Sequence, residues 1–275
     1  MRRIKILVTS IVVCFSLAST QLAASVCLFE GMLIGQIKRN IPESKDSIHP
    51  RILPNDIKLG SEPEITITGL RIPSARPESK GYFIVFPGNS QLVRSIANFF
   101  LPVSDIGYDV YLFDYYGISS GDDVPGLEEI VKTSNIVASK ILEKDIYTGK
   151  NNVFYGVSSG GIIALQLMSI LQSGGTIILD SVPDEVPLPW CDSYIHPKYA
   201  IKEVDISKYK ALVIHSKNDK KVVPYNSKKI INKVELNGGC HKVIDGVHPY
   251  EKGDNSEERV KLITEFLSKG VHSCE

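Results

Sequence analysis

Residues 153–161 read Val-Phe-Tyr-Gly-Val-Ser-Ser-Gly-Gly. This stretch joins an apolar run, typical of a buried strand, to the pattern Gly-x-Ser-x-Gly, and apolar residues at helical spacing follow as far as Leu171. A strand, a sharp turn and a helix in that order predict a nucleophile elbow, the turn that exposes a serine above the carboxyl end of a strand. Gly156 and Gly160 favour this interpretation because, lacking a Cβ, they let the strand and the helix approach closely.

Two residues of this turn carry the chemical prediction. Ser158 is expected at the tip with its hydroxyl exposed, and the backbone N–H of Ser159 is expected to face a developing oxyanion from the first turn of the helix. The five-residue pattern alone arises by chance in about one chain of this length in ten. The alternative is that Ser158 is only a small residue at a tight contact between strand and helix, so the rest of the chain has to decide.

The rest of the chain alternates between strand and helix patterns, which indicates a mostly parallel sheet flanked by helices on both faces. The predicted strands are residues 64–68, 81–86, 109–114, 152–157, 176–180, 211–215 and 240–244, and the predicted helices are residues 92–103, 127–142, 159–171, 225–234 and 256–268. The strand at residues 64–68 is expected at an edge of the sheet, followed by a loop at residues 71–80. Residues 181–208 are expected to form a long excursion that is too short for a separate domain. Ligands of such sheets bind at the carboxyl ends of the strands.

A serine nucleophile requires a base that accepts its proton and an acid that orients the base. In the elbow architecture the acid and then the histidine follow the serine along the chain. Asp219 and His248 each come just after a predicted strand and have that order. Asp180 and Asp184 are the alternatives for the acid, and His241 is the alternative for the base.

Each of these polar residues also has a structural interpretation. Asp219 could be a turn or helix-capping aspartate, and His248 could be an ordinary loop histidine. His215, at the end of a strand, is interpreted as a structural hydrogen-bonding residue. Asp114 is expected to tie down neighbouring loops rather than to act as a general base.

The chain contains four short motifs, each at the end of a predicted strand. They are Phe86-Pro87-Gly88-Asn89, Asp114-Tyr115-Tyr116-Gly117, Gly156-Val157-Ser158-Ser159-Gly160 and His215-Ser216-Lys217-Asn218-Asp219. Over about residues 64–270 the chain resembles the compact serine hydrolase and esterase branch of the α/β-hydrolase superfamily. The resemblance implies the α/β-hydrolase fold with a minimal lid and a catalytic triad of Ser158, Asp219 and His248. It also implies an oxyanion hole made by the N–H groups of Asn89 and Ser159, and neither a cofactor nor a metal.

The chain departs from the family pattern at two positions. Pro87 stands where the family often has His, and Tyr116 stands where it often has Arg. Neither position belongs to the triad, but Pro87 affects the shape of the oxyanion loop. Gly88 and Asn89 still allow the close backbone turn that an oxyanion donor requires.

The expected function is therefore that of a serine hydrolase of the esterase, lipase or thioesterase type, acting on a small-molecule or lipid acyl substrate. A peptidase or an acyltransferase with the same triad is one alternative, and a non-catalytic binding protein of the same fold is another. The chain has 31 Lys and Arg against 31 Asp and Glu, a formal net charge of +0, so nothing favours nucleic acid as a partner. The acyl group, the leaving group and the substrate-binding residues are not indicated.

The N-terminus has the three-part form of a secretory signal, with a basic head, a short apolar middle and a small-residue exit. We predict a signal peptide or membrane anchor at residues 1–25, a lead-in segment at residues 26–60 and the hydrolase domain at residues 61–275. Export to the periplasm or the exterior follows from a cleaved signal, and membrane association follows from an uncleaved anchor or from lipidation of Cys27. In an oxidising compartment Cys191 and Cys240 are candidates for a disulfide.

Overall fold

The computed structural model describes residues 47–59, 65–88, 91–115, 133–138, 140, 151–171, 174–184 and 205–270. Its strands are β1 (Leu53–Pro54), β2 (Ile57–Leu59), β3 (Ile65–Ile67), β4 (Gly69–Ile72), β5 (Gly81–Phe86), β6 (Tyr108–Phe113), β7 (Val153–Val157), β8 (Gly175–Asp180), β9 (Tyr209–Ser216) and β10 (Cys240–Ile244). Eight of them form one sheet in the order β1-β4-β6-β5-β7-β8-β9-β10. The six strands from β6 to β10 in this order are parallel, whereas β4 and β1 add antiparallel at one edge. The predicted mostly parallel sheet is confirmed.

The helices with described bounds are α1 (Val93–Ile96), α2 (Leu101–Asp105), α3 (Ser159–Leu171), α4 (Lys228–Leu236) and α5 (Ser256–Lys269), and short 3-10 turns cover Ala97–Phe100, Ile206–Lys208 and Pro224–Ser227. Of the helix predicted at residues 127–142, only residues 133–138 and 140 are described, and these are helical. The helix predicted at residues 92–103 is in fact α1, a 3-10 turn and α2. Pro102 lies at the start of α2, where its fixed φ and missing N–H suit a first turn but not the interior of one long helix.

Two hydrophobic clusters form the core, one on each face of the sheet. In β5, Ile84 and Phe86 belong to the cluster that contains side chains of α3 and α4, whereas Phe83 and Val85 belong to the cluster that contains side chains of α1, α2 and α5. All four are fully buried, and each such burial is worth about 1.5–3 kcal/mol. A strand covered on both faces reads as a continuous apolar run, which explains why β5 is recognisable from the sequence.

The edge of the sheet differs from the prediction. The strand predicted at residues 64–68 is described as β3, but it pairs with β2 in a separate two-stranded sheet. The edge is instead extended by β4, which lies in part within the predicted loop at residues 71–80, and by β1. Both β1 and β2 belong to the predicted lead-in segment, so that segment supplies two strands to the fold.

Several predictions concern residues that the structure does not describe. The predicted signal or anchor at residues 1–25 and most of the excursion, residues 185–204, lie outside the described ranges. Within those ranges, none of the helices is both long enough and apolar enough to cross a bilayer. Cys240 forms a disulfide, and because the other four cysteines lie outside the described residues, its pairing with Cys191 stays a prediction.

Candidate active site

The turn between β7 and α3 holds Ser158 in a left-handed backbone conformation, with φ of 53°. This conformation costs a non-glycine residue roughly 1–2 kcal/mol, so the surroundings must impose it. The Ser158 N–H donates to the C=O of Asp180 at 2.9 Å, and the Ser158 C=O accepts from the N–H of Gly161 at 3.0 Å. A strained serine between a parallel strand and a helix is the geometry that the sequence predicts for residue 158.

The glycines around the serine allow the elements to touch. A Cβ on Gly156 would lie 2.4 Å from the Cα of Gly161, and a Cβ on Gly160 would lie 2.2 Å from the C=O oxygen of Phe86. Both distances are far inside van der Waals contact, so no other residue fits without moving the backbone. The first contact joins β7 to α3, and the second brings α3 against the end of β5.

Asp219 follows β9 and accepts three hydrogen bonds. Its Oδ1 accepts from the N–H groups of Lys221 at 2.8 Å and Val222 at 2.9 Å, and its Oδ2 lies 2.8 Å from Nδ1 of His248. Burial by itself raises the pKa of Asp219, but the bond from His248 and those from the two backbone groups outweigh it and leave the pKa below its ordinary value. The carboxyl group is therefore held as an anion.

His248 follows β10 and is the partner that the anion orients. Its side chain is 5% exposed and that of Asp219 is fully buried. Since Nδ1 donates to a carboxylate, the neutral ring carries its lone pair on Nε2, the nitrogen that can take a proton from a serine hydroxyl. The sequence-predicted acid and base are thus brought together, at the same carboxyl edge of the sheet as Ser158.

The two predicted oxyanion donors differ in what the structure describes. Ser159 is the first residue of α3, so its N–H belongs to the group that finds no partner inside a helix and lies at the positive end of the helix dipole. Asn89 lies outside the described residues, and its role stays a prediction. Its neighbour Gly88 is described and lies beside the elbow, since a Cβ on Gly88 would be 3.5 Å from the Cβ of Ser158.

The alternative acids have other partners. Asp180 is fully buried, forms an ion pair with Arg259 and accepts a hydrogen bond of 2.6 Å from the hydroxyl of Tyr155. Asp184 accepts from the N–H groups of Lys229 at 3.0 Å and Ile230 at 2.8 Å, which satisfies donors in the first turn of α4. Neither carboxylate is bonded to a histidine among the described residues.

Among the described residues, the alternative histidine, His241, has no hydrogen-bond partner at its buried Nε2. The ring of His241 contacts the ring of His215, with a centroid distance of 5.3 Å, and Nε2 of His215 lies 2.7 Å from the hydroxyl of Ser227. His215 is therefore structural, as expected. Asp114 accepts from the N–H of Val93 at 2.8 Å and so holds the first residue of α1, which agrees with its predicted role in tying down loops.

A buried network behind His248 was not predicted from the sequence. Arg259 in α5 pairs with Asp180 and with Asp254, whose Oδ2 accepts from the N–H of Tyr250 at 2.9 Å. The hydroxyl of Tyr250 lies 2.7 Å from that of Tyr155. The segment that carries His248 is thus bonded to β7, β8 and α5. An arginine in an amphipathic helix pattern gives no sign of burial, so the sequence offered no signal for this network.

The described residues contain no group of three or more His, Cys, Asp or Glu side chains that could hold a metal ion.

Comparison with known proteins finds similar folds among solved structures. No family model and no curated protein matches the chain. A carboxyl esterase 2 from the fungus Tuber melanosporum superposes with a TM-score of 0.60 at 13% identity, covering 90% of this chain and 99% of the esterase. An esterase from Pyrococcus furiosus gives a TM-score of 0.58 at 16% identity, covering 84% and 98%. A homologue of α/β serine hydrolases from Coxiella burnetii gives 0.59 at 10% identity, covering 81% and 100%.

The chain has the α/β-hydrolase fold. The predicted fold class is therefore confirmed. In this α/β-hydrolase fold the elbow follows β7, Asp219 follows β9 and His248 follows β10. Because these strands are parallel, the three segments meet at one edge of the sheet.

Proposed function

We propose that the protein is a serine hydrolase that cleaves carboxylic esters or related acyl bonds. The observation that carries this proposal is the buried hydrogen bond of 2.8 Å between Asp219 and Nδ1 of His248, at the sheet edge where Ser158 occupies a strained elbow. A buried aspartate that fixes the histidine tautomer and stabilises the imidazolium is the arrangement that a general base beside a serine nucleophile requires. The alternative acids have other partners. The alternative base, His241, has no hydrogen-bond partner at Nε2 among the described residues, which leaves this pair.

The proposed reaction proceeds through an acyl-enzyme. Ser158 Oγ attacks the carbonyl carbon while His248 Nε2 takes the hydroxyl proton, and Asp219 stabilises the imidazolium that forms. The N–H groups of Ser159 and Asn89 hold the oxyanion. As the tetrahedral intermediate collapses, His248 returns the proton to the leaving alcohol. Water then attacks the acyl-enzyme by the same route, releases the carboxylic acid and regenerates Ser158.

The class of substrate is proposed from the comparisons. Two of the solved structures that share the fold are named as esterases, and this favours an ester over a peptide as the first substrate to test. The proposed substrate is a small-molecule or lipid acyl compound. Profiling p-nitrophenyl esters of increasing acyl length, beside a thioester and a peptide, measures which acyl group and leaving group are preferred.

Labelling by a fluorophosphonate tests the catalytic proposal. We expect the wild type to be labelled and Ser158→Ala to be unlabelled, since the probe reacts with an activated serine. Asp219→Asn should lower kcat by about 10⁴-fold because the histidine is left in the wrong tautomer. Absence of wild-type labelling, or labelling that persists in Ser158→Ala, would refute the proposal and favour a non-catalytic binding protein.

We also propose that the protein is exported. The signal-like residues 1–25 support this, and so does the disulfide at Cys240, since disulfides persist in oxidising compartments. Intact-mass measurement of the protein expressed from the full sequence distinguishes a cleaved signal peptide from an uncleaved membrane anchor. Cleavage after Ser25 gives the mass of residues 26–275, and an uncleaved anchor gives that of the whole chain.

A further inference from the structure

Gln91 lies between two segments that the proposed mechanism needs. One is the Gly88 loop, which we define as Pro87 and Gly88, the two described residues directly after β5. The other is the His248 loop, residues 245–255 between β10 and α5. Gln91 is 9% exposed, and both ends of its side-chain amide are used at this buried position.

The hydrogen bonds of Gln91 leave no ambiguity about its orientation. Its Oε1 accepts from the N–H of Gly88 at 2.9 Å, and its Nε2 donates to the C=O of Pro249 at 2.7 Å. A backbone N–H can only donate and a backbone C=O can only accept, so the amide must point this way. The N–H of Gln91 also donates to the C=O of Gly88 at 3.1 Å, and Gly88 is therefore held through both of its polar backbone groups.

Both partners of the amide are next to proposed catalytic groups. Pro249 directly follows His248, and Gly88 lies beside the elbow, with a built Cβ 3.5 Å from the Cβ of Ser158. Because the N–H of Gly88 is already donated to Gln91, it is not free for an oxyanion. The predicted donor stays the next N–H, that of Asn89, which lies outside the described residues.

We propose that Gln91 is a positioning residue that sets the distance between the Gly88 loop and the His248 loop. It touches no reacting atom in this scheme, and the inference rests on the proposed serine hydrolase function. Its effect belongs to the transition state, because oxyanion donor and base act there together. A misplacement of about 1 Å in such a site costs on the order of 10²-fold in rate. Ground-state binding of the acyl substrate is not expected to change to the same extent.

Two size-matched variants separate the two hydrogen bonds. Gln91→Met removes both, whereas Gln91→Glu keeps an acceptor for Gly88 and replaces the donor to Pro249 with a carboxylate that the carbonyl repels. Asn98→Leu is the control. The amide of Asn98 likewise joins a backbone C=O, that of Ser47 at 3.1 Å, to a backbone N–H, that of His49 at 3.1 Å, but neither partner belongs to the Gly88 loop or the His248 loop.

The first measurement is the rate of p-nitrophenyl butyrate hydrolysis, divided by the concentration of active sites that a fluorophosphonate titrates. We expect kcat per titrated site to fall about 10²-fold in Gln91→Met and in Gln91→Glu, with KM changed by less than about threefold. Asn98→Leu should keep the wild-type kcat. Titration removes the effect of unfolded molecules, which a purely structural role would produce.

Hydrogen exchange of the Gly88 amide, followed by NMR, provides the second measurement and does not depend on activity. The amide should exchange faster in Gln91→Met and stay protected in Gln91→Glu. A kcat per site within threefold of wild type in both variants, or unchanged protection of Gly88 in Gln91→Met, overturns the inference. If the wild type reacts with neither p-nitrophenyl butyrate nor the fluorophosphonate, the proposed hydrolase function fails. If the wild type reacts with both and the Gln91 variants behave like it, only the inference about Gln91 fails.

Discussion

His215 is fully buried four residues before Asp219, yet it takes no part in the Asp219–His248 pair. Its Nε2 is bonded to the hydroxyl of Ser227, and its Nδ1 has no hydrogen-bond partner among the described residues. Burial, with a smaller contribution from His241 and opposed in part by Asp219, lowers the pKa of His215 to about 4. The ring is therefore neutral in the folded protein at neutral pH.

The first prediction concerns acid stability at this residue. Unfolding returns His215 to an ordinary pKa of about 6.5. Above that pH the ring is neutral in both the folded and the unfolded protein, so burial of the neutral ring makes its full contribution to stability. The stability is lost as the pH falls from about 6.5 to about 4, by up to about 3 kcal/mol. Urea unfolding at pH 7 and pH 4.5 should show a smaller loss for His215→Gln than for the wild type.

A second histidine serves as the control for this prediction. His49 is exposed, so His49→Gln also removes one imidazole but not a buried one. The prediction is contradicted if the two variants lose the same free energy of unfolding between pH 7 and pH 4.5.

Backbone strain is concentrated near the candidate site. Among the described residues other than glycine, positive φ occurs at Ser158, Ser181 and Tyr250. Ser158 follows β7, Ser181 follows β8, and Tyr250 is two residues beyond His248. Such conformations persist only where the surroundings impose them, and they cluster at functional sites. Their placement at one sheet edge supports that edge as the active site.

At the scale of elements, the contact between β5 and α3 positions the elbow. Gly160 provides this contact, since a Cβ there would lie 2.2 Å from the C=O oxygen of Phe86 and 2.4 Å from that of Pro87. Both neighbours are backbone atoms, which cannot rotate away as a side chain can. The same contact brings the end of β5, where the Gly88 loop begins, against the helix that starts at Ser159.

The second prediction is that Gly160→Ala separates these elements. Overpacking of this kind costs typically about 1–3 kcal/mol, and we expect both a lower free energy of unfolding and a lower kcat toward esters. Gly238→Ala is the control, because its Cβ would meet nothing within 4 Å although its φ is +76°. That variant should lose stability through its backbone conformation alone and keep its kcat. Equal kcat in the two variants would count against the contact.

Elements with strong local patterns were predictable, and those that depend on distant partners were not. The bounds predicted for β5, α3 and β10 agree with the structure, because continuous apolar runs and helical spacing are local properties. The sequence also predicts the strand at residues 64–68, but not its pairing with β2. Alternating Ile and Thr residues suit the edge of the large sheet and a separate two-stranded sheet equally well. The sequence predicts part of β4 as a loop because Pro73 follows this strand directly.

At the scale of the whole molecule, Arg259 connects elements from across the sheet. Its guanidinium is fully buried, pairs with Asp180 and Asp254, and donates to the hydroxyl of Ser216 at 2.7 Å. Burial by itself would lower the pKa of Arg259, but the carboxylates around it outweigh burial and raise the pKa. The charge therefore stays on the guanidinium, and β8, β9, α5 and the His248 loop share one ionic centre.

The third prediction concerns the loss of this centre. Arg259→Met leaves two carboxylates buried without their partner, which typically costs about 3–5 kcal/mol. Arg51→Met is the matched control, because Arg51 pairs with Asp105 at 2.7 Å while their side chains are 36% and 54% exposed. An exposed pair contributes about 1 kcal/mol or less. Urea unfolding should separate the two variants by at least about 2 kcal/mol, and similar losses would contradict the role of Arg259.

The sequence by itself determined the type of the central elements and the candidate catalytic residues at their ends. The elbow around Ser158 and the order of Asp219 and His248 along the chain are local features, since they depend on residue type, spacing and the strand just before them. A reader of the sequence could therefore predict an α/β-hydrolase fold and name a candidate triad.

Only the tertiary structure decided which groups support that triad. Gln91 bonds to Pro249, 158 residues away, and Arg259 bonds to Asp180, 79 residues away. The structure also assigned Asp180 to an ion pair and Asp184 to the first turn of α4, where the sequence left both as alternative acids. The physical reason is that periodicity encodes which face of an element is buried, whereas the partner of a buried polar group depends on which distant segment the closed chain brings beside it.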